Sequence, residues 1–123
     1  MIIDDIFENW DKGCYIASLL KTETDEMENE INYYSKPKYY EFNIQSASGS
    51  MDIQLYGERI KKIKKALISM SNYKNVFKEG DKAYLEGIKP VNESEKTFGI
   101  GANYKIIDAR KQNTAIILYF ERI

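Results

Sequence analysis

Near the end of the chain six apolar residues run without a break, Ala115-Ile116-Ile117-Leu118-Tyr119-Phe120, between Thr114 and Glu121. A run of this length, rich in β-branched and aromatic side chains, reads as a strand. Successive strand residues face opposite ways, so a strand apolar at every position is covered on both faces. The core of a β-sheet supplies one cover. The other has to be a helix, a loop or a second subunit, and the pattern offers one apolar helix. Ile3, Ile6, Phe7 and Trp10 fall at i, i+3, i+4 and i+7, Asp4 and Asp5 occupy the first turn, and Gly13 ends it.

The rest of the chain has the period of strands. Residues 13–20 are apolar with small side chains, and Thr22 and Thr24 continue an extended segment. An acidic connection over 24–29 then leads to Glu30–Tyr34, the expected return arm of a hairpin; helix is the rival for 23–34, because Met27, Ile31 and Tyr34 share a helical face. Tyr40, Phe42 and Ile44 alternate with Tyr39, Glu41, Asn43 and Gln45. Met51, Ile53 and Leu55 alternate with Asp52, Gln54 and Tyr56, so 39–45 and 51–57 read as a hairpin turning at Ser46–Ser50. Residues 58–68 read as amphipathic helical turns through Ile60, Ile63 and Leu67, with strand the open alternative. Gly80-Asp81 is a turn before a strand at 82–87, where Gly80 supplies φ > 0. Residues 103–110 and 114–122 form the last hairpin, turning at 111–113. The expected fold is mainly β: a small antiparallel β-barrel with a short N-terminal helix, hairpin extensions and long loops. At 123 residues it is read as one domain, with the helix over 1–12, a hairpin or extension over 13–36 and the barrel over 37–123.

Several kinds of chemistry lack their residues. The chain has no His, and its single Cys, Cys14, makes no internal disulfide, which fits a reducing compartment. Gly99-Ile100-Gly101 opens a strand and lacks the third glycine of a dinucleotide loop. The carboxylates are densest at 25–30, on a turn, and lack the sixth-position glycine of a calcium loop. No run approaches the ~20 apolar residues of a membrane span, and Met1–Asp5 lacks the basic start of a signal peptide. The expectation is a non-enzymatic protein with no cofactor, no metal and no membrane partner.

Net charge is −1, yet the charges are segregated. Residues 1–30 hold nine acids and two bases, whereas 31–65 hold seven bases and three acids. Such a map either leaves two solvated faces or lets one copy complement the next. The basic stretch at 59–65, with Tyr33, Tyr34, Tyr39 and Tyr56, also fits a monomeric small β-barrel that binds single-stranded nucleic acid by stacking and phosphate contacts, although the low pI of about 5.6 argues against it.

Four stretches, Gly49–Arg59, Phe77–Leu85, Ala102–Ile106 and Ala115–Ile123, resemble small neck proteins of tailed bacteriophages and prophages, of the head-closure (stopper) or head–tail connector type. The likeness spans residues 38–123 in segments. It implies a β-barrel that forms a homo-oligomeric ring in the virion neck, assembled in the host bacterial cytoplasm. Portal and adaptor proteins would sit above it and a tail terminator or tail tube below. Double-stranded DNA would pass through without sequence recognition, and a loop would close the channel until the tail attaches. The resemblance implies no catalytic residue.

In a ring each subunit presents one flank to the opposite flank of the next. The expected pairing sets Glu23, Asp25, Glu26, Glu28 and Glu30 of one copy against Arg59, Lys61, Lys62, Lys64 and Lys65 of its neighbour. The outward residues of the last strand, Ile117 and Tyr119, would supply apolar contact. Two polar, glycine-bearing loops are candidates for the lumen or for contact with adjoining rings: Ser48, Gly49 and Ser50 in one, Asn92, Glu93, Ser94, Glu95 and Lys96 in the other.

Overall fold

The computed structural model describes residues 12–90 and 98–123. The helix expected before Gly13 and the loop residues Asn92–Lys96 lie outside them, and Lys12 already belongs to the first strand. The protein is mainly β. Strand β1 (Lys12–Ala17) is followed by β2 (Leu19–Thr24), β3 (Glu30–Tyr34), β4 (Lys38–Phe42) and β5 (Ile44–Ser46). Helix α1 (Ser50–Tyr56) and a 3-10 helix (Gly57–Lys62) lead into β6 (Ile63–Ser69) and the short α2 (Met70–Tyr73). Strands β7 (Lys82–Tyr84), β8 (Tyr104–Gln112) and β9 (Ala115–Arg122) complete it.

Seven strands form one antiparallel sheet in the order β4-β1-β7-β8-β9-β6-β5. Its two edge strands, β4 and β5, are joined through Asn43 alone, so the sheet curls until its edges meet at that residue, a half-barrel. The expected single strand over 39–45 is thus broken. Phe42 ends a ladder with β1, and Ile44 opens one with β6. The alternation itself holds, with Phe42 and Ile44 buried and Tyr39, Glu41 and Gln45 exposed. Inside the curl, Ile16, Phe42, Ala66, Ile106, Leu118 and Phe120 belong to one continuous apolar core. Tyr40, Phe42, Tyr73 and Phe77 meet edge-to-face or stacked within it, ring centroids 5.1–6.1 Å apart.

The expected strand at 51–57 is helix. Gly49 is extended, its N–H donates to Asp52 Oδ2 at 3.3 Å, and Gly57 at φ 54° ends the run. The period-two alternation of Met51, Ile53 and Leu55 misleads because all three side chains are exposed, while Asp52 is the buried residue of α1. At helical spacing Asp52 and Tyr56 face the sheet instead. The helical reading of 58–68 holds only to Lys62. From Ile63 the backbone pairs with β9 over seven positions, Ile63↔Glu121 to Ser69↔Ala115, and the ladder outweighs a weak helical stripe.

The second cover of β9 is therefore internal. Ile116, Leu118 and Phe120 enter the core, while Tyr119 packs on the outer face with Ala47 and Ile63 beneath Tyr56 and Ile60. Tyr119 is 1% exposed, which corrects its expected place at a subunit interface: α1 and the 3-10 helix of its own chain lie over it. Ser48 remains exposed, but Gly49 and Ser50 belong to the start of α1, not to a free hairpin loop.

Candidate assembly surfaces

The predicted hairpin over 19–34 forms as a sheet of its own, β2 with β3, apart from the seven-stranded one. Its base is clamped to the barrel. The Leu19 N–H donates to Asp81 Oδ1 at 2.8 Å, Ser18 N–H to Ser35 Oγ at 2.9 Å, and Ser35 N–H to the Ser18 carbonyl at 2.8 Å. Asp81 is fully buried, and its second oxygen accepts from Lys78 N–H at 3.1 Å. The expected Gly80-Asp81 turn, with Gly80 at φ 98°, is thus the socket of the hairpin.

Beyond the base both faces are largely open, with Leu20 and Ile31 exposed. The tip is nonetheless braced by its own hydrogen bonds. Asp25 Oδ1 accepts from the N–H groups of Met27 and Asn29, each at 2.9 Å, and Glu28 takes φ 62°. Glu23 pairs with Lys21 at 2.9 Å, whose hydrogen bond and charge hold its carboxyl below the usual range. Glu26, Glu28 and Glu30 are exposed beside Met27, the most exposed large apolar residue described, at 82%.

The basic stretch is not the free cationic face its sequence suggests. Arg59 Nε donates to Glu121 Oε2 at 2.7 Å, Lys64 pairs with Glu86 Oε1 at 3.0 Å, and Lys65 pairs with Asp52 Oδ2 at 2.8 Å. Lys61 and Lys62 are exposed on the 3-10 helix. The structure does not bring residues 59–65 and the acidic tip together within the chain; internal carboxylates take three of the five bases. Sequence reading missed Asp52, Glu86 and Glu121 because each partner lies far along the chain, on an element whose placement periodicity does not fix. Of the four tyrosines considered for stacking, Tyr56 packs on Tyr119 with centroids 5.2 Å apart and the Tyr34 ring lies over Gly99. Tyr39 is exposed, with its ring over Gly13 and its edge toward Tyr15.

Asp52 is held from three sides, by Lys65, Tyr119 and the Gly49 N–H. Its Oδ1 accepts from Tyr119 Oη at 2.8 Å, and it is 2% exposed. Burial alone would push its carboxyl up, but the bonds from Lys65, Tyr119 and Gly49 outweigh that and hold it below the ordinary value. Burial and the same carboxylate push the Tyr119 hydroxyl up to about 12. Tyr104, donating to Glu86 Oε1 at 2.7 Å, is likewise pushed to about 12, first by burial and then by Glu86.

Past the edge of α1 the outer face of the sheet carries exposed apolar surface. A groove of about 390 Å³ is lined by Asn43, Gln45, Lys65, Leu67 and Ile117. Leu67 and Ile117 are directly paired across β6 and β9; Leu67 is 64% exposed and Ile117 half-buried.

Among the described residues no group of three or more His, Cys, Asp or Glu side chains is arranged to hold a metal ion. Burial pushes the Cys14 thiol up to about 12, which keeps it protonated and inert. No helix among the described residues is long and apolar enough to cross a membrane. No family model matches the chain, and no curated protein and no solved structure matches it.

Proposed function

We propose that this chain is a non-enzymatic structural subunit of a tailed-bacteriophage neck, closing as a homo-oligomer into a ring that continues or closes the DNA exit channel between portal or adaptor and tail. The observation that carries the reading is the β2–β3 hairpin. A two-stranded ribbon exposed on both faces is marginal by itself. This one is anchored through a buried carboxylate, braced at its tip, and left with Leu20, Met27 and Ile31 open to solvent. That is the form of an arm that contacts another molecule, and the resemblance in the barrel segments makes that molecule a neighbouring copy. Duplex DNA passes such a ring more freely when few cations contact its phosphates, and internal pairing of Arg59, Lys64 and Lys65 suits that passive role.

Sedimentation and native mass measurement on the purified protein, with antibody labelling of virions or prophage particles, test the reading. Closed oligomers, or antibody at the particle neck, are expected. A chain that stays monomeric in solution and is absent from the neck overturns it. So does salt-dependent retention on single-stranded DNA that disappears when Tyr39 becomes Ala, since that is the behaviour of a nucleic-acid binder.

A further inference from the structure

The hairpin tip and the outer-sheet groove are complementary in chemistry. The tip presents Glu26-Met27-Glu28, an apolar side chain between two acids. The groove has an aliphatic floor, Leu67 and Ile117, and a rim of Asn43, Gln45 and Lys65, with no acid among the described residues that line it. The Lys65 ammonium carries three N–H donors and spends one on Asp52. The amide of Gln45 has two and gives one to Asn43. Unused donors therefore stand around an apolar floor, where an apolar side chain flanked by carboxylates fits.

Resting on the ring reading above, we infer that the groove Asn43–Gln45–Lys65–Leu67–Ile117 receives the Met27 tip of the hairpin of a neighbouring copy of this chain. The tip is ready for it: Asp25 already fixes the backbone around Met27, so little ordering entropy remains to be lost on docking. Five residues of strand at about 3.3 Å each set the tip roughly 17 Å from its base. Each copy carries one tip and one groove, and under the ring reading the contact runs head to tail, the heterologous kind from which rings close. The original pairing of charges changes accordingly. Lys65 acts at the groove rim, and Arg59 and Lys64 remain in internal pairs.

Cysteine trapping tests the contact. Met27→Cys and Leu67→Cys both alter exposed side chains, and the buried Cys14 gives little background. Mixed in equal amounts under mild oxidation, the two variants should form an intersubunit disulfide between positions 27 and 67, in excess over 27–27 and 67–67 species. In parallel, Met27→Ser and Leu67→Ser should each weaken self-association by about tenfold or more, as expected for leaving a large apolar contact unmade. Oligomers of unchanged strength with no 27–67 disulfide overturn the groove contact and leave the ring reading standing. A wild-type chain that is monomeric both in solution and in the particle overturns both.

Discussion

Replacing Asp52 with Ala should cost about 3 kcal/mol, and the parts of that figure can be separated. Three donors lose their acceptor: Lys65 Nζ, the Gly49 N–H and Tyr119 Oη. Gly49 is exposed and the Lys65 side chain is about a third exposed, so both can turn to water and their share is small. Tyr119 cannot. Its hydroxyl lies under α1, and an orphaned buried donor costs about 1–3 kcal/mol. That penalty lies at its upper end here, because the bond lost was made to a charged carboxylate. Urea unfolding followed by circular dichroism reads the loss as a midpoint shift, about 1–3 M at the slopes usual for small proteins. The decisive measurement is the double variant. Tyr119→Phe alone should destabilise, but in the Asp52→Ala background it should be neutral or restore about 1 kcal/mol, because it removes the orphan. If Tyr119→Phe costs the same in both backgrounds, or Asp52→Ala costs under about 0.5 kcal/mol, the carboxylate does not anchor α1.

The same cluster fixes the pH limits. The carboxyl of Asp52 is held below its ordinary value, so its contribution is present above the unfolded pKa, about 3.9, and is lost as pH falls through the lower folded value; an acid titration by circular dichroism should show a flatter limb in Asp52→Asn. Tyr104 and Tyr119 are raised to about 12, so their contributions are intact below pH about 10 and fade as pH rises toward 12; tyrosinate absorbance should rise late, together with unfolding, and earlier in Asp52→Asn. Gly80→Ala sets a side chain at φ 98° with its Cβ 2.9 Å from Leu19 Cδ2, and thermal melting should report a loss of about 1–2 kcal/mol. Asp81→Ala leaves the N–H groups of Leu19 and Lys78 without their acceptor; hydrogen exchange should speed in β2 and β3 well before β8 and β9, and uniform acceleration would mean the hairpin is not separately anchored.

What could be read from the sequence was local. The β2–β3 hairpin, the Gly80-Asp81 turn, the last hairpin and the inward set Tyr40, Phe42 and Ile44 follow from period and turn chemistry, which act over a few residues. The turn of the last hairpin moved only slightly, the ladder running on to Gln112↔Ala115. The failures share one cause. Met51, Ile53 and Leu55 look like one face of a strand because apolar residues are assumed to point inward, and here tertiary contact decides otherwise. The buried member of α1 is its acid, whose partners Lys65 and Tyr119 lie on β6 and β9. Nothing in a window around residue 52 announces partners 13 and 67 positions away. The candidate site divides in the same way. The acidic tip was legible as a run of Asp and Glu, whereas the groove was not, because Gln45, Leu67 and Ile117 meet only through the pairing of β5, β6 and β9.

That pairing also gives the polar anchor a structural purpose. A half-buried ion pair is a poor source of net stability, since desolvation of the buried carboxylate offsets much of its attraction. Its geometry, however, restricts position. Oδ1 of Asp52 reaches a donor on β9 and Oδ2 a donor on β6, so sliding or rotating α1 along the sheet breaks at least one contact. Apolar contacts of Tyr56 and Ile60 with Ile63 and Tyr119 alone would tolerate several placements, because hydrophobic attraction has no direction. The two bonded oxygens select one. In that placement the cover that α1 gives the outer face stops at Lys65, and Leu67 with Ile117 lies just beyond it. The continuous apolar run of the last strand is thus divided, by where one carboxylate fixes α1, into a part that α1 covers and a part that it does not, and the second part is where the proposed contact with a neighbouring copy falls.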